Sequence, residues 1–142
     1  MSGLLGGIDI GGTKCAVTLG IANDEKITIL AKQRFPTPDT PDETISQFIN
    51  ALRDLLTQQE QPLSAIGISC GGPLDSQRGV ILSPPNLPGW NNIPIVQAFT
   101  DAFDVPTALQ NDANAGALVE WLWGAGKGFD NVIFLTFGTG MG

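Results

Sequence analysis

The feature that most constrains the fold of this sequence is a pair of apolar segments near its start, residues 4–10 and 14–21, joined by two glycines and a threonine. The second segment alternates apolar residues with polar or small ones at the two-residue period of a β-strand. So short a connection predicts an antiparallel hairpin. A less regular apolar segment over residues 27–35 predicts a third strand after a polar turn. The chain is therefore expected to open with three antiparallel strands.

After residue 35 the apolar period changes from that of a strand to that of a helix. Thr40, Pro41 and Glu43 have the spacing of a capping box, with the threonine as N-cap and proline at the first helical position. This arrangement predicts the start of a first helix. Its apolar positions are spaced as on one helix face, and they are Ile45, Phe48, Ile49, Leu52, Leu55 and Leu56.

Strands and helices alternate in the rest of the chain. We predict buried strands over residues 65–70 and 106–110, and a last strand over 132–137. We also predict a helix that begins at residue 93 or 94 and ends at 103, and another over 112–123. The order is then β-β-β-α-β-α-β-α with one further strand. This order predicts an α/β fold in which a mixed sheet has its parallel strands at the centre and helices on both faces.

The amino-acid composition argues against two classes of binding partner, nucleic acids and anionic membranes. The chain has 142 residues, the length of one domain, with 7 basic and 14 acidic residues and a net charge of −7. Such a chain has no electrostatic attraction for nucleic acid or for an anionic membrane. With no basic and apolar leader, and no apolar run near the roughly 18 residues that span a bilayer, we expect a cytoplasmic protein. Cys15 and Cys70 are interpreted as buried apolar residues, since without histidine they make no zinc site.

Two glycine-rich turns each follow an apolar segment. A glycine pair lets the backbone turn tightly with its N–H groups directed at one point, which suits a phosphate group. The first turn is no Walker A motif, because that motif needs Gly-Lys followed by Ser or Thr and leads into a helix. We interpret the two turns as a clamp on one polyphosphate, although a plain Gly-Gly hairpin is the alternative for the first turn alone. The predicted phosphate ligands are Gly11, Gly12, Thr13, Lys14, Gly138, Thr139 and Gly140.

Two acidic residues lie beside these predicted elements. Asp9 directly precedes the first turn and can hold Mg²⁺ directly or through water, because that ion keeps several waters and takes one or two carboxylates. Asp112 follows Asn111 where a predicted strand ends and a helix begins. Open α/β sheets bind ligands at that edge, and a carboxylate there can accept the proton of an attacking hydroxyl. A simple helix N-cap is the alternative interpretation of Asp112.

Two loops are candidates for binding a ligand rich in hydroxyl groups. Gly72 follows the predicted strand over residues 65–70, and Asn86 lies in a proline-stiffened loop over residues 84–92. Amide groups carry both donors and acceptors, which suits sugar hydroxyls, and rigid prolines reduce the entropy lost in holding them. Ordinary turn chemistry is the alternative, and Trp90 in the same loop is interpreted as a packing residue.

The motifs occur in a characteristic order. They are DIGGTK (9–14), GGP (71–73), NLPGW (86–90), NDANAG (111–116) and GTGMG (138–142). Together they resemble the ROK family of bacterial sugar kinases, repressors and uncharacterised open reading frames, in the actin, hexokinase and chaperone ATPase superfamily.

The resemblance implies a ribonuclease H-like domain that uses ATP and Mg²⁺ to phosphorylate a hydroxyl of a hexose or N-acetylhexosamine. It implies that Asp112 is the catalytic base, that Asp9 lies near the metal, and that both glycine turns bind phosphate. Family members are often dimers, so a homodimer is expected. The positions that match sugar contacts are Gly72, Asn86, Asn111 and Asp112.

The resemblance also implies that the chain is part of a longer protein. The family's later Glu and His sugar ligands, its cysteine-rich structural zinc motif and its adenosine-binding segment would lie beyond residue 142. We expect residues 1–124 to be the N-terminal lobe and residues 125–142 to be the connection, first strand and phosphate turn of a truncated second lobe. This piece alone is expected to be inactive. The alternative is a sugar-sensing ROK-type regulator without catalytic activity, which the start of the first strand at Leu4 and the acidic charge disfavour.

Overall fold

The computed structural model describes residues 3–137 as an α/β domain. Its strands are β1 (Leu4–Ile10), β2 (Lys14–Ala22), β3 (Ile27–Pro36), β4 (Leu63–Cys70), β5 (Leu74–Asp75), β6 (Val80–Ile81) and β7 (Thr107–Asn111). Its helices are α1 (Pro41–Leu56), α2 (Ile95–Phe103) and α3 (Asp112–Trp123). Strands β5 and β6 form a separate small hairpin, and the other strands form one sheet in the order β3-β2-β1-β4-β7.

The sheet is mixed, as the order of the elements predicts. Strand β1 pairs antiparallel with β2 on one side and parallel with β4 on the other. Strands β2 and β3 pair antiparallel, and β4 and β7 pair parallel. The expectation that the parallel strands occupy the centre is wrong in part. Strand β1 is central and joins an antiparallel half to a parallel half, while β7 lies at the edge of the described sheet.

One face of the sheet is closed by α1 and α2. The side chain of Thr40 accepts a hydrogen bond from the Glu43 amide at 3.3 Å, so the predicted cap of α1 is confirmed. The Phe48 ring, fully buried on α1, packs 4.9 Å from the Phe35 ring and 6.3 Å from the Phe99 ring, centroid to centroid. Burial of these rings supplies the apolar contact that holds both helices on the sheet.

Helix α3 lies over the other face, which is lined with small residues. Gly7, Thr18 and Gly67 of three neighbouring strands line a groove together with Leu118 and Val119 of α3. Helices on both faces were predicted and are confirmed. At the last residue of α3, the Trp123 indole donates to the Asn23 carbonyl oxygen at 2.7 Å, which ties the end of the helix to the β2–β3 turn. No helix within residues 3–137 is long and apolar enough to cross a membrane.

Two local predictions differ from the structure. Helix α2 begins at Ile95 rather than at residue 93 or 94, because Ile93 forms a β-bridge with Ile81 through N–H···O bonds of 2.9 and 3.0 Å. The predicted strand over residues 132–137 is wrong for residues 132–136, which the structure leaves in no strand. The Ile133 side chain there is 87% exposed. An apolar segment becomes a strand only where a neighbouring strand satisfies its backbone groups, and its sequence does not supply that partner.

Candidate active site

The carboxyl ends of β1, β4 and β7 meet at one edge of the sheet. Asp9 of β1 is the register partner of Ser69, and Ser69 is the register partner of Gln110. One position further, Ile10, Cys70 and Asn111 are aligned in the same way. The structure therefore brings the predicted acids, glycines and amides of three separate segments to a common edge, which is where open α/β sheets bind ligands.

Asn111, rather than Asp112, is the N-cap of α3. Its side-chain oxygen accepts from the amides of Ala113 at 3.0 Å and Asn114 at 3.5 Å. Asp112 is the first residue of the helix, so its interpretation as the cap is wrong. The reason is the path of the chain: β7 continues through Asn111, which leaves the extended cap conformation to that residue.

The exposed carboxylate of Asp112 is partly free for a ligand. Its Oδ1 atom accepts from the Ala113 amide at 2.8 Å. Within residues 3–137 no hydrogen bond engages Oδ2, which lies 3.9 Å from the point that a Cβ on Gly71 would occupy. The positive end of the α3 dipole favours negative charge at this position. One carboxylate oxygen of an exposed residue thus lies beside a glycine turn without a hydrogen bond inside the described residues.

Gly72 makes room for the amide of Asn111. A Cβ at Gly72 would lie 3.3 Å from the Asn111 Nδ2 atom, a tight contact. Because the Asn111 oxygen is held by the helix start, its nitrogen remains as the donor that faces the turn. The two predicted sugar-binding positions are thus neighbours in space.

Asp9 lies within electrostatic range of Asp112. Partial burial is the main cause that raises the pKa of Asp9, and the charge of Asp112 raises it further. The Ser69 hydroxyl, 3.4 Å from Asp9 Oδ1, and the charge of Lys32 act in the opposite direction and lower that pKa. The charge of Asp112 disfavours ionisation of Asp9, and a divalent cation near the two carboxylates would relieve this effect, so these residues fit the predicted Mg²⁺.

Thr37 anchors the first glycine turn through two hydrogen bonds. The hydroxyl of Thr37 donates to the Gly11 carbonyl oxygen at 2.6 Å, and its amide donates to the Thr13 carbonyl oxygen at 3.0 Å. The side chains of Thr13 and Lys14 are exposed. Thr37 was missed from the sequence, since a lone threonine after a proline carries no signal of a contact with a turn far away in the chain.

Gly11 and Gly12 are needed in this turn because neighbouring atoms leave no room for a side chain, and not because of an unusual backbone angle. Among residues 3–137 the glycines with a positive φ are Gly79, Gly89 and Gly128, so Gly11 and Gly12 lie outside that set. A Cβ on Gly11 would run into the Lys14 carbonyl oxygen of the same turn. A Cβ on Gly12 would lie 2.6 Å from the carbonyl oxygen of Asn86. The phosphate turn and the proline-stiffened loop are therefore in direct contact.

The loop that carries Asn86 is fixed by its apolar side chains. Leu87 and Trp90 are 4% and 1% exposed, which confirms Trp90 as a packing residue, while Asn86 is exposed. The Leu87 amide donates to the Pro84 carbonyl oxygen at 3.0 Å, and the Trp90 amide to that of Leu87 at 3.3 Å. These anchors hold the Asn86 amide at the surface beside the glycine turn.

The cysteines are buried and free, as predicted. Burial, with the charges of Asp112 and Asp9 in addition, raises the pKa of Cys70 to about 12. Burial likewise raises the pKa of Cys15, whose sulfur lies 3.4 Å from the Thr37 hydroxyl oxygen. A thiol that stays protonated at neutral pH is a poor nucleophile, so neither cysteine has the properties of a reactive residue.

Two features complete the picture of the site. The predicted second phosphate turn, Gly138, Thr139 and Gly140, lies outside the described residues and stays a prediction. Gln110 was missed: its side-chain oxygen accepts from the Asn111 amide at 2.9 Å and from the Asn114 side chain at 3.2 Å. The alternation of β7 places this glutamine on the α3 face, but its partners depend on how the helix begins.

A mixed sheet with helices on both faces, and a glycine turn beside an acidic helix start at its carboxyl edge, define an α/β domain of the ribonuclease H-like, actin-like ATPase class. The chain belongs to the ROK family, whose model matches residues 5–142. A solved structure of a ROK family glucokinase from Streptomyces griseus, in complex with glucose and AMPPNP, aligns with a TM-score of 0.82 and 34% identity. The alignment covers 99% of this chain and 43% of that one.

Curated relatives include proteins named as kinases and as a repressor. A glucokinase from Streptomyces coelicolor is 37% identical over 140 residues, which is 99% of this chain and 42% of the relative. A fructokinase from Zymomonas mobilis is 37% identical over 144 residues, 98% of this chain and 46% of the relative. A xylose repressor from Bacillus subtilis is 31% identical over 140 residues, 96% of this chain and 35% of the relative. The chain spans less than half the length of each of these relatives.

Proposed function

We propose that this chain is the N-terminal part of an ATP-dependent sugar kinase, which transfers the γ-phosphoryl group of ATP to a hydroxyl of a hexose or N-acetylhexosamine. The observation that carries the proposal is Asp112: an exposed carboxylate at a helix start, with Oδ2 free of hydrogen bonds within residues 3–137 and facing the Gly71 turn. The similarity to proteins named glucokinase and fructokinase, and to a structure with glucose and AMPPNP, supports it.

In this proposal Asp112 is the general base. Its free oxygen accepts the proton of the sugar hydroxyl while the hydroxyl oxygen attacks the γ-phosphorus and the bond to the ADP oxygen breaks. Phosphoryl transfer asks for little else than positioning, charge neutralisation and such an acceptor. The hydrogen bond from the Ala113 amide holds the orientation of this carboxylate.

The sugar is held by the amides of Asn86 and Asn111 over the open backbone of Gly72. Asn111 presents Nδ2 as a donor, and the exposed Asn86 side chain supplies a donor and an acceptor. Both amides stand on segments fixed by buried side chains or by a helix cap, so little entropy is lost when they bind hydroxyls.

The phosphates are held by the turn Gly11, Gly12, Thr13 and Lys14 from one side and by Gly138, Thr139 and Gly140 from the other. Asp9 holds Mg²⁺, directly or through water, and this ion neutralises the charge of the transferred phosphoryl group. The position of Asp9 within electrostatic range of the Asp112 carboxylate supports a cation here.

Residues 1–124 form the N-terminal lobe in this proposal, and residues 125–142 are the connection, first strand and phosphate turn of a second lobe. The chain alone is then inactive, because the remaining half of the cleft would come from the longer protein. The protein is proposed to be cytoplasmic and homodimeric, and any structural zinc would belong to the second lobe.

A sugar-dependent assay of ADP release tests the proposal. The assay uses the protein of the longest reading frame that contains this sequence, a panel of hexoses and N-acetylhexosamines, and magnesium present or withheld. We expect ADP release that needs both a sugar and magnesium. The similarity to a xylose repressor favours a sugar-sensing regulator as the second candidate. Sugar binding without any sugar-dependent ADP release would favour that regulator and contradict the kinase.

A further inference from the structure

The contact between the glycine turn and the Asn86 loop is too close for any residue but glycine. A Cβ built on Gly12 would lie 2.6 Å from the Asn86 carbonyl oxygen and 2.9 Å from the Asn86 Cβ. Contacts of this kind lie below the van der Waals distance, so one of the two segments would have to move. Gly12 lacks a positive φ, so alanine fits its backbone conformation and only the space is missing.

Each of the two segments is anchored by contacts of its own. The turn is held from behind by two hydrogen bonds from Thr37, at 2.6 and 3.0 Å. The loop is held by the buried side chains of Leu87 and Trp90 and by the amide hydrogen bonds that each donates within the loop. Two anchored segments thus meet at the backbone of Gly12 and Asn86.

We propose that Gly12 is a positioning residue for Asn86, so that the turn assigned to phosphate also sets the place of the amide assigned to sugar. The inference rests on the proposed function for the identity of the two ligands. It changes what Gly12 is expected to do: a side chain there displaces the Asn86 loop before it intrudes on a phosphate. The two subsites are then coupled through one contact, and a ligand that shifts the turn shifts Asn86 as well.

The variant Gly12→Ala, with Gly67→Ala as matched control, tests the inference. Both variants add one methyl group, and at Gly67 the new Cβ would have no atom within 4 Å. In the protein of the longest reading frame we expect Gly12→Ala to raise KM for the sugar about tenfold and KM for ATP by less than about twofold, the cost of modest overpacking. Gly67→Ala leaves both unchanged. An unchanged sugar KM, or an equal rise of both constants, would overturn the inference.

A double variant separates positioning from general damage. If Gly12 acts through the Asn86 amide, Gly12→Ala has little further effect on sugar KM once Asn86→Ala has removed that amide. Full additivity of the two effects would contradict the inference. A wild-type protein that binds no sugar would instead refute the proposed function, and this inference with it.

Amide hydrogen exchange in the 142-residue chain gives a readout without ligand or turnover. Gly12→Ala is expected to speed exchange of the Leu87 and Trp90 amides. Thr37→Val is expected to do the same, because it removes the side-chain hydrogen bond to the Gly11 carbonyl oxygen while the backbone bond to Thr13 stays. Gly67→Ala is expected to leave this exchange unchanged. If Gly12→Ala does not fold, Thr37→Val still tests whether the turn supports the loop. Exchange at both amides that stays as in the wild type would show that the turn does not support the loop.

Discussion

Helices α1 and α3 start with the same kinds of residue but have different roles in the protein. Each starts with a polar N-cap, Thr40 or Asn111, followed in its first turn by an aspartate, Asp42 or Asp112. Helix α1 buries residues along its length, whereas no residue of α3 is fully buried within the described chain. The start of α3 lies beside the turn of Gly71 and Gly72 and within electrostatic range of Asp9. The comparison teaches that a cap and an acid define a helix start, while the neighbours of that start decide whether it is a binding site.

The largest expected difference between the two helix starts is in turnover. Asp112→Asn is expected to lower kcat by about 10²–10⁴-fold in the protein of the longest reading frame, because an amide cannot take the hydroxyl proton. Asp42→Asn makes the same chemical change in the first turn of α1 and should leave kcat within about twofold. Steady-state ADP release measures both, with sugar binding by calorimetry as a check that Asp112→Asn still folds. Equal kcat values in the two variants would reduce Asp112 to a structural residue.

The next largest expected difference is in how much an apolar side chain of each helix contributes to the stability of the protein. Phe48→Ala in α1 is expected to lower the free energy of unfolding by about 3–5 kcal/mol, because the ring is fully buried between two other rings. Leu118→Ala in α3 should cost less than about 1 kcal/mol, since that side chain is 50% exposed. Urea denaturation of the 142-residue chain compares the two. A larger loss for Leu118→Ala would contradict the view that α3 is the loosely packed helix.

Removal of either helix cap should lower stability by a similar amount, but only removal of the Asn111 cap should also affect ligand binding. Thr40→Ala and Asn111→Ala each remove an acceptor for the first helical amides and are expected to cost about 1 kcal/mol of unfolding free energy. Asn111→Ala should also weaken sugar binding by about tenfold, because one donor to the ligand is lost. Denaturation and calorimetric titration measure the two effects. If Asn111→Ala leaves the sugar affinity unaltered, Asn111 acts only as a helix cap and does not bind the sugar.

The smallest expected effect is on the titration of Asp9. The charge of Asp112 contributes to its raised pKa, so Asp112→Asn should lower the pKa of Asp9 toward its ordinary value and Asp42→Asn should not. A carboxyl whose folded pKa lies above its unfolded pKa binds more protons when folded, so its contribution to stability falls as pH rises between those two values. That fall should be smaller in Asp112→Asn. Carboxyl-carbon NMR titration of Asp9 measures the shift, and an identical pKa in both variants would mean that the two acids do not interact.

Local patterns predicted most of the fold. The hairpin of β1 and β2, the cap of α1 and the alternation of later strands and helices depend on residues close together in sequence, and all are present. The short hairpin β5–β6 was missed because two-residue strands show no period. The strand expected over residues 132–137 was wrong for 132–136, because a strand needs a neighbour that its own sequence cannot provide.

The candidate site was predicted by residue type but not by arrangement. Asp9, Asn86, Asn111 and Asp112 were all recognised from their motifs, whereas Thr37, Ser69 and Gln110 were not, since their partners lie on other strands or at a helix start. The roles assigned to the recognised residues remain proposals that the variants above test.

The sequence by itself determined the order of the longer strands and helices up to α3, the helix start after β7 and the glycine turn after Asp9, because period, capping and turn chemistry act over a few residues. Only the tertiary structure decided that Asn111 caps α3, that Asp112 keeps one oxygen free, and that Gly12 lies against Asn86. These facts depend on strand register and on the packing of Leu87 and Trp90, which bring residues far apart in the chain within van der Waals contact. Such contacts are set by the whole fold and leave no pattern in a single segment.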